Sequence, residues 1–431
     1  MAQEIVVSGG SLLDLQGERP ADLLIAEGCI ADIGSPGAFF GRGIEVDASD
    51  ALVLPGFVDI QVHFRTPGGE DSEDIASGAA GAALGGVTAC LMMPNTVPTI
   101  DNPELVSEVL ALGRDTPCDV YTSAAITVDR AGERLVDFPA LYEAGVRVFT
   151  DDGTVVDSAD LMKGALEASA SFPDVVISQH AEHSEMVEGG VINQGAVAER
   201  LGLKGRPSEA EVVIVERDIA LARQTGGRYH VLHMSTAAAS DLVRDAKAEG
   251  LRVTAEVTPQ HLILTEEDVE RLGTSGKMNP PLRTMIDVEG LRTALLDGTI
   301  DAVATDHAPH SPQSKSVGLP EAPPGMLGVE TMASIVWDEF VARGLMTPQR
   351  FVNLLSVAPA SIAGIRTHGG PFTIGEAANI AVFDPGERWV IEPERLQSKS
   401  LNTPWPQKEV QGRVRHTICN GALVVHDATL V

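Results

Sequence analysis

The sequence predicts an α/β chain built as a (β/α)8 barrel of the TIM type, with a small β-sandwich domain formed by both chain ends. Two observations support this fold. In the middle of the chain, apolar β-rich runs alternate with Ala-, Leu- and Glu-rich stretches. Eight such strand–helix units over roughly 300 residues are typical of this barrel. At both ends, short strand-like runs are broken by glycine and proline.

The eight predicted barrel strands share an apolar, β-branched composition. They are Leu54–His63, Gly86–Met93, Asp119–Ile126, Val146–Thr150, Asp174–Ser178, Arg228–His233, Arg252–Val257 and Ile300–Thr305. A helix-forming stretch follows each, for example Ala159–Ser171 and Ala237–Glu249. An open doubly wound sheet would show the same alternation. A glycine-rich phosphate loop after the first strand would favour that sheet, but the first strand ends in Gln61-Val62-His63.

The two chain ends carry hairpin signals, so we expect them to pair as one β domain. The predicted strands are Glu4–Val7, Asp22–Ala26, Gly28–Ile33, Asn379–Phe383 and Val414–Val425. The Asn420-Gly421 step suits a tight hairpin turn. These patterns predict residues 1–53 and 371–431 as the β-sandwich domain and residues 54–370 as the barrel.

The composition narrows the classes of function. The 431 residues carry a formal net charge of −30, which opposes binding to nucleic acid or to an anionic membrane. No apolar stretch of about 18 residues predicts a membrane span, and the N-terminus lacks the pattern of a signal peptide. The four widely spaced cysteines, without a CxxC pair, favour a reducing cytoplasm over a disulfide framework.

Polar residues gather at the predicted carboxyl ends of the strands, where a barrel places its chemistry. Imidazole and carboxylate groups suit a divalent transition metal such as zinc. The candidate ligands, from five different strands, are His63, Asp152, His180, His233 and Asp306. For the remaining strand and surface histidines we expect structural roles; these are His183, His230, His261, His368, His416 and His426.

Several motifs in this order form a specific signal. They are Leu54–Asp59 with His63–Arg65, Met93–Asn95, Phe149–Gly153, Thr254–Pro259, Lys277–Arg283 (KMNPPLR), Ala304–His310 (ATDHAPH), and Gly325–Gly328 with Thr331. Through them the sequence resembles the class I dihydroorotases of the amidohydrolase superfamily, over nearly the whole chain. The first of these motifs alone would fit any cyclic amidohydrolase.

The resemblance implies one or two zinc ions and a role for each matching residue. His63 would bind the first metal and face the substrate, Asp152 would bridge, and His180 with His233 would hold the second metal. Asp306 would be both a ligand and the general acid/base, because it could take a proton from a metal-bound water and pass it to the leaving nitrogen. The substrate contacts would be Arg65, Asn95 and His310 for the carboxylate, and Asn279 with the backbone of Pro324 and Gly325 for the ring.

The sequence departs from the family pattern at three positions. Gln61 stands where the family has the first His of His-x-His, Thr66 where it usually has an acidic residue, and Gln260 where it usually has a second His. Positions 61 and 63 share a strand face, so we expect a weaker first metal site. No lysine lies near the end of the fourth strand; Lys163 falls in the helix that follows.

The resemblance implies an enzyme that interconverts N-carbamoyl-L-aspartate and L-dihydroorotate, a step of pyrimidine biosynthesis. Two alternatives stay open. The three departures would suit a non-catalytic subunit that partners aspartate transcarbamoylase, and the fold would also serve a hydrolase of another cyclic amide, such as a hydantoin or allantoin. A homodimer is implied by the family. The segment Ser311–Pro324 is predicted to be a loop from its proline and glycine content.

Overall fold

A computed structural model describes residues 4–431 of the chain; residues 1–3 of the predicted N-terminal part lie outside the described residues. The strands within this range are β1 (Ile5–Ser8), β2 (Ser11–Asp14), β3 (Gly17–Pro20), β4 (Asp22–Ala26), β5 (Cys29–Gly34), β6 (Ile44–Asp47), β7 (Leu52–Pro55), β8 (Phe57–Val62), β9 (Val87–Met92), β10 (Asp119–Thr122), β11 (Val148–Phe149), β12 (Val176–Gln179), β13 (Ile192–Asn193), β14 (Gly205–Arg206), β15 (Tyr229–Val231), β16 (Val253–Val257), β17 (Ala302–Val303), β18 (Ile380–Val390), β19 (Glu409–Cys419), β20 (Ala422–His426) and β21 (Thr429–Leu430).

The two ends of the chain form two mixed sheets. One has the order β5-β4-β1-β6, and the other has the order β21-β20-β19-β18-β7-β2-β3, so the predicted pairing of N-terminal and C-terminal strands is observed. Val7 and Val46 of the first sheet share a buried apolar cluster with Val53 and Ile380 of the second. The hairpin between β19 and β20 turns at Asn420 and Gly421, whose φ angles of 49° and 76° suit the predicted tight turn.

Eight parallel strands in the middle of the chain form two sheets, of order β10-β9-β8 and β11-β12-β15-β16-β17, and β13 and β14 form a separate parallel pair. Parallel bridges join the sheets at both edges, Ala124 to Phe149 and Val62 to His307. At the second junction the His63 amide donates to the His307 carbonyl at 2.8 Å. The parallel α/β middle therefore matches the prediction, and the carboxyl ends of its strands meet on one side.

The first predicted barrel strand, Leu54–His63, is divided in the structure. Leu54 and Pro55 belong to β7, which pairs with β18 in the mixed sheet, and only Phe57–Val62 forms the parallel strand β8. Gly56 separates the two; a Cβ there would lie 2.2 Å from the Thr88 Oγ1 atom. The close approach of the backbone to Thr88 therefore requires glycine at the point where the chain changes sheets.

The α-helices are α1 (Ile75–Leu84), α2 (Pro103–Leu112), α3 (Phe138–Glu143), α4 (Ala159–Ala170), α5 (Ser184–Val187), α6 (Ala196–Leu201), α7 (Glu209–Thr225), α8 (Ala237–Ala248), α9 (Asp268–Leu272), α10 (Met285–Asp297), α11 (Pro312–Lys315), α12 (Met332–Val336), α13 (Pro348–Val352) and α14 (Ala358–Ala363). Short 3-10 turns span Val128–Arg130, Gly273–Gly276 and Pro393–Arg395, and π-turns span Trp337–Val341 and Asn353–Val357.

The two helices that were predicted by range, α4 and α8, begin at side-chain caps. The Ser158 Oγ accepts from the Leu161 amide, and the Thr236 Oγ1 accepts from the Ala239 amide. Each cap satisfies an amide that has no partner within the helix, which fixes where the helix begins. Across residues 4–431, no helix is both long and apolar enough to cross a membrane.

Candidate metal and substrate site

The carboxyl ends of the parallel strands surround a cavity of about 130 Å³. All the sequence-predicted site residues except His233 line it: His63, Arg65, Asn95, Asp152, His180, Asn279, Asp306, His310, Pro324 and Gly325. His233 lies next to this lining, since its Nε2 is 3.3 Å from the Asp152 Oδ1. Segments far apart in sequence therefore converge on one small volume, as the barrel hypothesis requires.

The Asp152 carboxylate lies among three histidines. Its Oδ1 faces the His233 Nε2 at 3.3 Å and the His180 Nδ1 at 3.7 Å, while its Oδ2 faces the His63 Nε2 at 3.4 Å. Burial raises the pKa of Asp152, but hydrogen bonds from His180 and His233 and the charge of His63 outweigh burial and hold the pKa well below its usual range. The carboxylate is thus ionised, with its two oxygens directed to two groups of ligands.

Asp152, His180 and His233 offer ligand atoms that all lie within 4.8 Å of one another. The rings of His180 and His233 approach at 3.0 Å between Nδ1 and Nε2. Two imidazole nitrogens and a carboxylate oxygen are the donors that zinc and similar ions take in proteins. The side chains present therefore fit a metal ion at this position.

His63 links the cluster to Asp306 and Asn95. Its Nε2 lies 2.9 Å from the Asp306 Oδ1, and its Nδ1 lies 2.8 Å from the Asn95 Oδ1. If Nε2 is the ligand atom, Nδ1–H donates to Asn95, which is the usual way a ligating histidine is oriented. The Asn95 oxygen is then occupied, and its amide NH2 is the part left to contact a substrate.

Glu182, a residue that the sequence reasoning missed, orients His180. The Glu182 Oε2 lies 3.2 Å from the His180 Nε2, which leaves Nδ1 facing Asp152 and His233. Burial raises the pKa of Glu182, but the contact with His180 and the charges of Arg206 and Arg283 have a larger, opposite effect. The net pKa is about 2. Burial likewise opposes the charge of His180, whereas Asp152 and Glu182 raise its pKa to about 9. The available signal was an acidic residue two positions after a candidate ligand.

Gln61 also lies at the cluster, because its Nε2 donates to the Asp152 Oδ1 at 3.2 Å. Its Oε1 is buried and has no hydrogen-bond partner among the described residues. An unpartnered buried carbonyl oxygen costs about 1–3 kcal/mol. The position expected to hold a weaker ligand therefore carries a neutral oxygen that a metal ion could satisfy. The Gln260 Oε1 is likewise buried without a partner among the described residues, but its Nε2 donates to the Thr305 carbonyl at 2.8 Å and not to Asp152; neither glutamine lines the cavity.

Three site residues have left-handed backbone that non-glycine residues rarely adopt. The φ angles are 57° at Arg65, 29° at His233 and 47° at Asp306. Such conformations cost about 1–3 kcal/mol each and persist only where the surrounding structure fixes them. The fold therefore stores strain where the strand ends turn these three side chains towards the cluster.

The side chains expected to grip a carboxylate, Arg65, Asn95 and His310, line the same cavity. Arg65 donates to the Pro309 carbonyl at 3.2 Å and forms no ion pair with any residue in the range 4–431. Burial lowers its pKa to about 10, so the guanidinium is charged at neutral pH. Burial and the charge of Arg65 lower the pKa of His310 to about 3, and its Nε2 lies 2.8 Å from the Pro324 carbonyl. Arg65 is thus a positively charged group in the cavity lining that has no acidic partner among the described residues.

Asn279 lines the cavity next to His180. Its Nδ2 lies 3.2 Å from the His180 Nε2, and its Oδ1 accepts from Arg206. Arg206 also donates to Glu182 at 2.9 Å. The amide of Asn279 is therefore held with its nitrogen towards the metal-ligand cluster.

The histidines expected to be structural lie outside the cavity lining. His230 lies between Thr254 and Glu256, His261 between Thr258 and Pro280, and His368 between Thr88 and Asp119. His416, His426 and Asp427 form a second group of potential metal ligands. Both His416 nitrogens are already used, because Nδ1 accepts from the Asp427 amide and Nε2 faces the Asp47 carbonyl.

We expect Glu182→Gln to weaken binding of a divalent metal ion. The amide cannot stabilise His180 as the carboxylate does, and loss of such an orienting partner typically costs about 10–100-fold in metal affinity. The affinity is measured by competition with a chromogenic chelator. Glu185→Gln, an exposed change on the next helix, is the control; equal affinities for the two variants would refute the orienting role of Glu182.

Comparison with known proteins shows which family the chain resembles in sequence. Residues 50–239 match the protein family described as Dihydro-orotase-like. The chain is 42% identical to the dihydroorotase of Pelotomaculum thermopropionicum over 429 residues, covering 99% of this chain and 100% of the relative. It is 42% identical to the dihydroorotase of Streptomyces coelicolor over 417 residues, covering 96% and 97%.

Among solved structures, the L-hydantoinase (dihydropyrimidinase) of Arthrobacter aurescens superposes with a TM-score of 0.89 at 23% identity, covering 100% of this chain and 97% of that one. At that identity the likeness shows a shared fold. The sequence relatives carry the assignment, since they match at 42% identity from end to end: the chain belongs to the dihydroorotase family.

Proposed function

We propose that this protein catalyses the reversible ring closure of N-carbamoyl-L-aspartate to L-dihydroorotate, a step of de novo pyrimidine biosynthesis. The observation that carries the proposal is one cavity holding two features together. The cavity holds a buried cluster of histidines around Asp152, and it also holds Arg65, which forms no ion pair among the described residues. A ring amide whose ring bears a carboxylate needs both. The match to dihydroorotases supports the same substrate.

Zinc is the proposed ion, and one or two ions would be held by His63, Asp152, His180, His233 and Asp306. When bound, zinc would polarise the reacting carbonyl and lower the pKa of a bound water to about 7. The donor set of two imidazole nitrogens and a shared carboxylate supports zinc. No carboxylated lysine is proposed, because Lys163 lies in α4 and is not among the residues lining the cavity.

Asp306 is the proposed general acid/base. Its Oδ1 lies 2.9 Å from the His63 Nε2 and borders the cavity, so it can take a proton from the attacking water. In the ring-opening direction it would return that proton to the ring nitrogen as the amide bond breaks. The contact with His63 holds the Asp306 carboxylate for this exchange, since general-base catalysis needs the acceptor within hydrogen-bond reach.

Arg65 would hold the substrate carboxylate, because a planar guanidinium can bind both oxygens at once. The Asn95 amide nitrogen would complete the contact, and His310 would join it by turning its Nε2–H from the Pro324 carbonyl to the carboxylate, with His63 at the edge of the ring. Asn279 and the Pro324–Gly325 backbone would contact the rest of the ring. In a protein with a net charge of −30, one unpaired cation in the cavity provides local attraction for an anionic substrate.

The finer architecture is proposed on the same basis. The two parallel sheets, bridged at both edges, support a closed (β/α)8 barrel over residues 54–370. The two mixed sheets with their shared core support a β-sandwich from residues 1–53 and 371–431, with Leu54 and Pro55 contributing to it through β7. A cytoplasmic homodimer is proposed from family membership.

A second candidate function rests on Gln61. Gln61 stands where the family has a histidine ligand, and it donates a hydrogen bond to Asp152. The alternative is therefore a non-catalytic subunit that partners aspartate transcarbamoylase. An intact Arg65 and Asp306 favour the enzyme, since a subunit without turnover has no physical need for them.

The test is ring opening of dihydroorotate by the purified protein, before and after chelation and after zinc is added back. We expect zinc-dependent turnover, and we expect Asp306→Asn to lower kcat by about 10²–10⁴-fold because a positioned proton acceptor is lost. Asp160→Asn, in the first turn of α4, is the matched control. No turnover by folded, zinc-loaded protein would favour the non-catalytic subunit, and turnover of hydantoin or allantoin instead would reassign the substrate.

We expect Gln61→His to increase both zinc retention and turnover, because an imidazole nitrogen is a stronger zinc donor than a neutral amide oxygen. The gain in affinity should be about tenfold or more, the scale on which changes around a metal site act. Zinc per chain is measured after dialysis against a weak chelator. Gln260→His, at the other glutamine that replaces a family histidine, is the control and should change neither quantity. If Gln61→His also changed neither, position 61 would not be a ligand position.

A further inference from the structure

The segment between His310 and Gly325 forms one wall of the cavity. It contains the single-turn helix α11, Pro312–Lys315, and ends at Pro324 and Gly325, which line the cavity with His310. A loop of this kind is a common candidate for a lid that opens and closes. The contacts of its lysine point instead to a fixed wall.

Lys315 lies inside the loop, with 9% of its surface exposed. Its Nζ donates to three backbone carbonyls: Thr274 at 3.0 Å, Pro323 at 2.8 Å and Gly325 at 2.9 Å. An ammonium group has three donors, so every one is used. Within the described part of the chain, Lys315 forms no ion pair, so its charge is balanced by carbonyl dipoles.

The carbonyls that Lys315 gathers come from two separate parts of the chain. Thr274 belongs to the turn Gly273–Gly276, just before the KMNPPLR motif, whereas Pro323 and Gly325 belong to the loop itself. Burial, with Lys277 and Arg65 nearby, lowers the pKa of Lys315 to about 7. The three hydrogen bonds offset the free-energy cost of burying the Lys315 ammonium group. They would be lost if the loop moved freely.

Gly325 is fixed by further contacts. Its amide donates to the Lys277 carbonyl at 2.9 Å, and its carbonyl also accepts from the Asn402 Nδ2 at 3.0 Å. Its φ is 144°, and a Cβ there would lie 2.7 Å from Ala308 and 2.9 Å from the His310 Nε2. The backbone can therefore approach the cavity only as glycine, and only in this held conformation.

Lys277 ties down the middle of the same loop. Its Nζ donates to the carbonyls of Leu319 and Pro320, each at 2.9 Å. The loop is thus held at its middle by the side chain of one buried lysine and at its end by that of another, and of these two ammonium groups only that of Lys315 donates to Gly325, which lines the cavity.

We infer that Lys315 is a positioning residue, which holds the Pro324–Gly325 backbone in place so that this wall is set before the substrate arrives. The expected effect on turnover rests on the proposed function. Lys315 does not itself border the cavity, so it acts through Gly325. Because the wall would bind the ring equally before and during reaction, its loss should weaken binding more than it slows chemistry.

The test compares Lys315→Met with the wild type for dihydroorotate turnover and for amide hydrogen exchange. We expect KM to rise by about tenfold while kcat stays within about threefold, since misplacing a contact wall reduces substrate binding. Exchange in residues 316–326 should become faster, because the loop loses the three hydrogen bonds that Lys315 donates, two within the loop and one to Thr274. Lys163→Met, an exposed change on α4 (the lysine side chain is 44% exposed), is the control and should leave both readouts unchanged.

The two readouts separate the possible failures. If the wild type shows no turnover, the proposed function fails, but hydrogen exchange still reports whether Lys315 fixes the loop. If the wild type turns over dihydroorotate and Lys315→Met keeps its KM and its exchange pattern, the inference is overturned. Faster exchange with an unchanged KM would also overturn it, since Lys315 would then stabilise the loop without positioning the cavity wall. If Lys315→Met does not fold, Lys315→Gln, which keeps one donor group, is measured in the same way and should show smaller changes in the same direction.

Discussion

The structure of the site depends on one carboxylate shared among histidines. The two oxygens of Asp152 face His63 on one side and His180 with His233 on the other, at 3.3–3.7 Å. Three imidazoles this close would repel one another when protonated, and a buried charge without a partner costs about 3–5 kcal/mol. The Asp152 carboxylate is what allows the three rings to face one point. Glu182 and Asn95 then fix two of the rings from outside.

This arrangement constrains the fold as well as the site. Asp152, His180 and His233 follow β11, β12 and β15, neighbours in one parallel sheet, whereas His63 and Asp306 come from the junction at which β8 meets the end of β17. The bridge from Val62 to His307 therefore brings the two halves of the site together. Strain at Arg65 and Asp306 and the unpartnered oxygen of Gln61 occur close to this junction, and strain at His233 occurs in the other half of the site. The fold thus tolerates backbone strain and an unpartnered polar atom, both of which lower stability, at the proposed site.

Much of this was predictable from the sequence, for physical reasons. Alternating apolar runs and helix-forming stretches predict parallel strands, and polar residues at strand ends must then converge; ten predicted residues line one cavity as a result. Strand bounds were less predictable, because β17 is only two residues long and the bridge that links it to β8, from Val62 to His307, lies beyond its end. The division at Gly56 depends on a contact with Thr88, which no local pattern reveals. Glu182, Arg206 and Lys315 act through tertiary contacts between distant segments, and a charged residue in a sequence usually indicates a solvated surface.

The measurement that tests the account most directly is zinc retention by Asp152→Asn. The substitution keeps the shape of the side chain and removes the charge that the three histidines share. We expect the variant to fold, as judged by circular dichroism, and to lose nearly all the zinc that the wild type retains after dialysis. If Asp152→Asn retains as much zinc as the wild type, the shared carboxylate does not organise the metal site, and the account built on it is wrong.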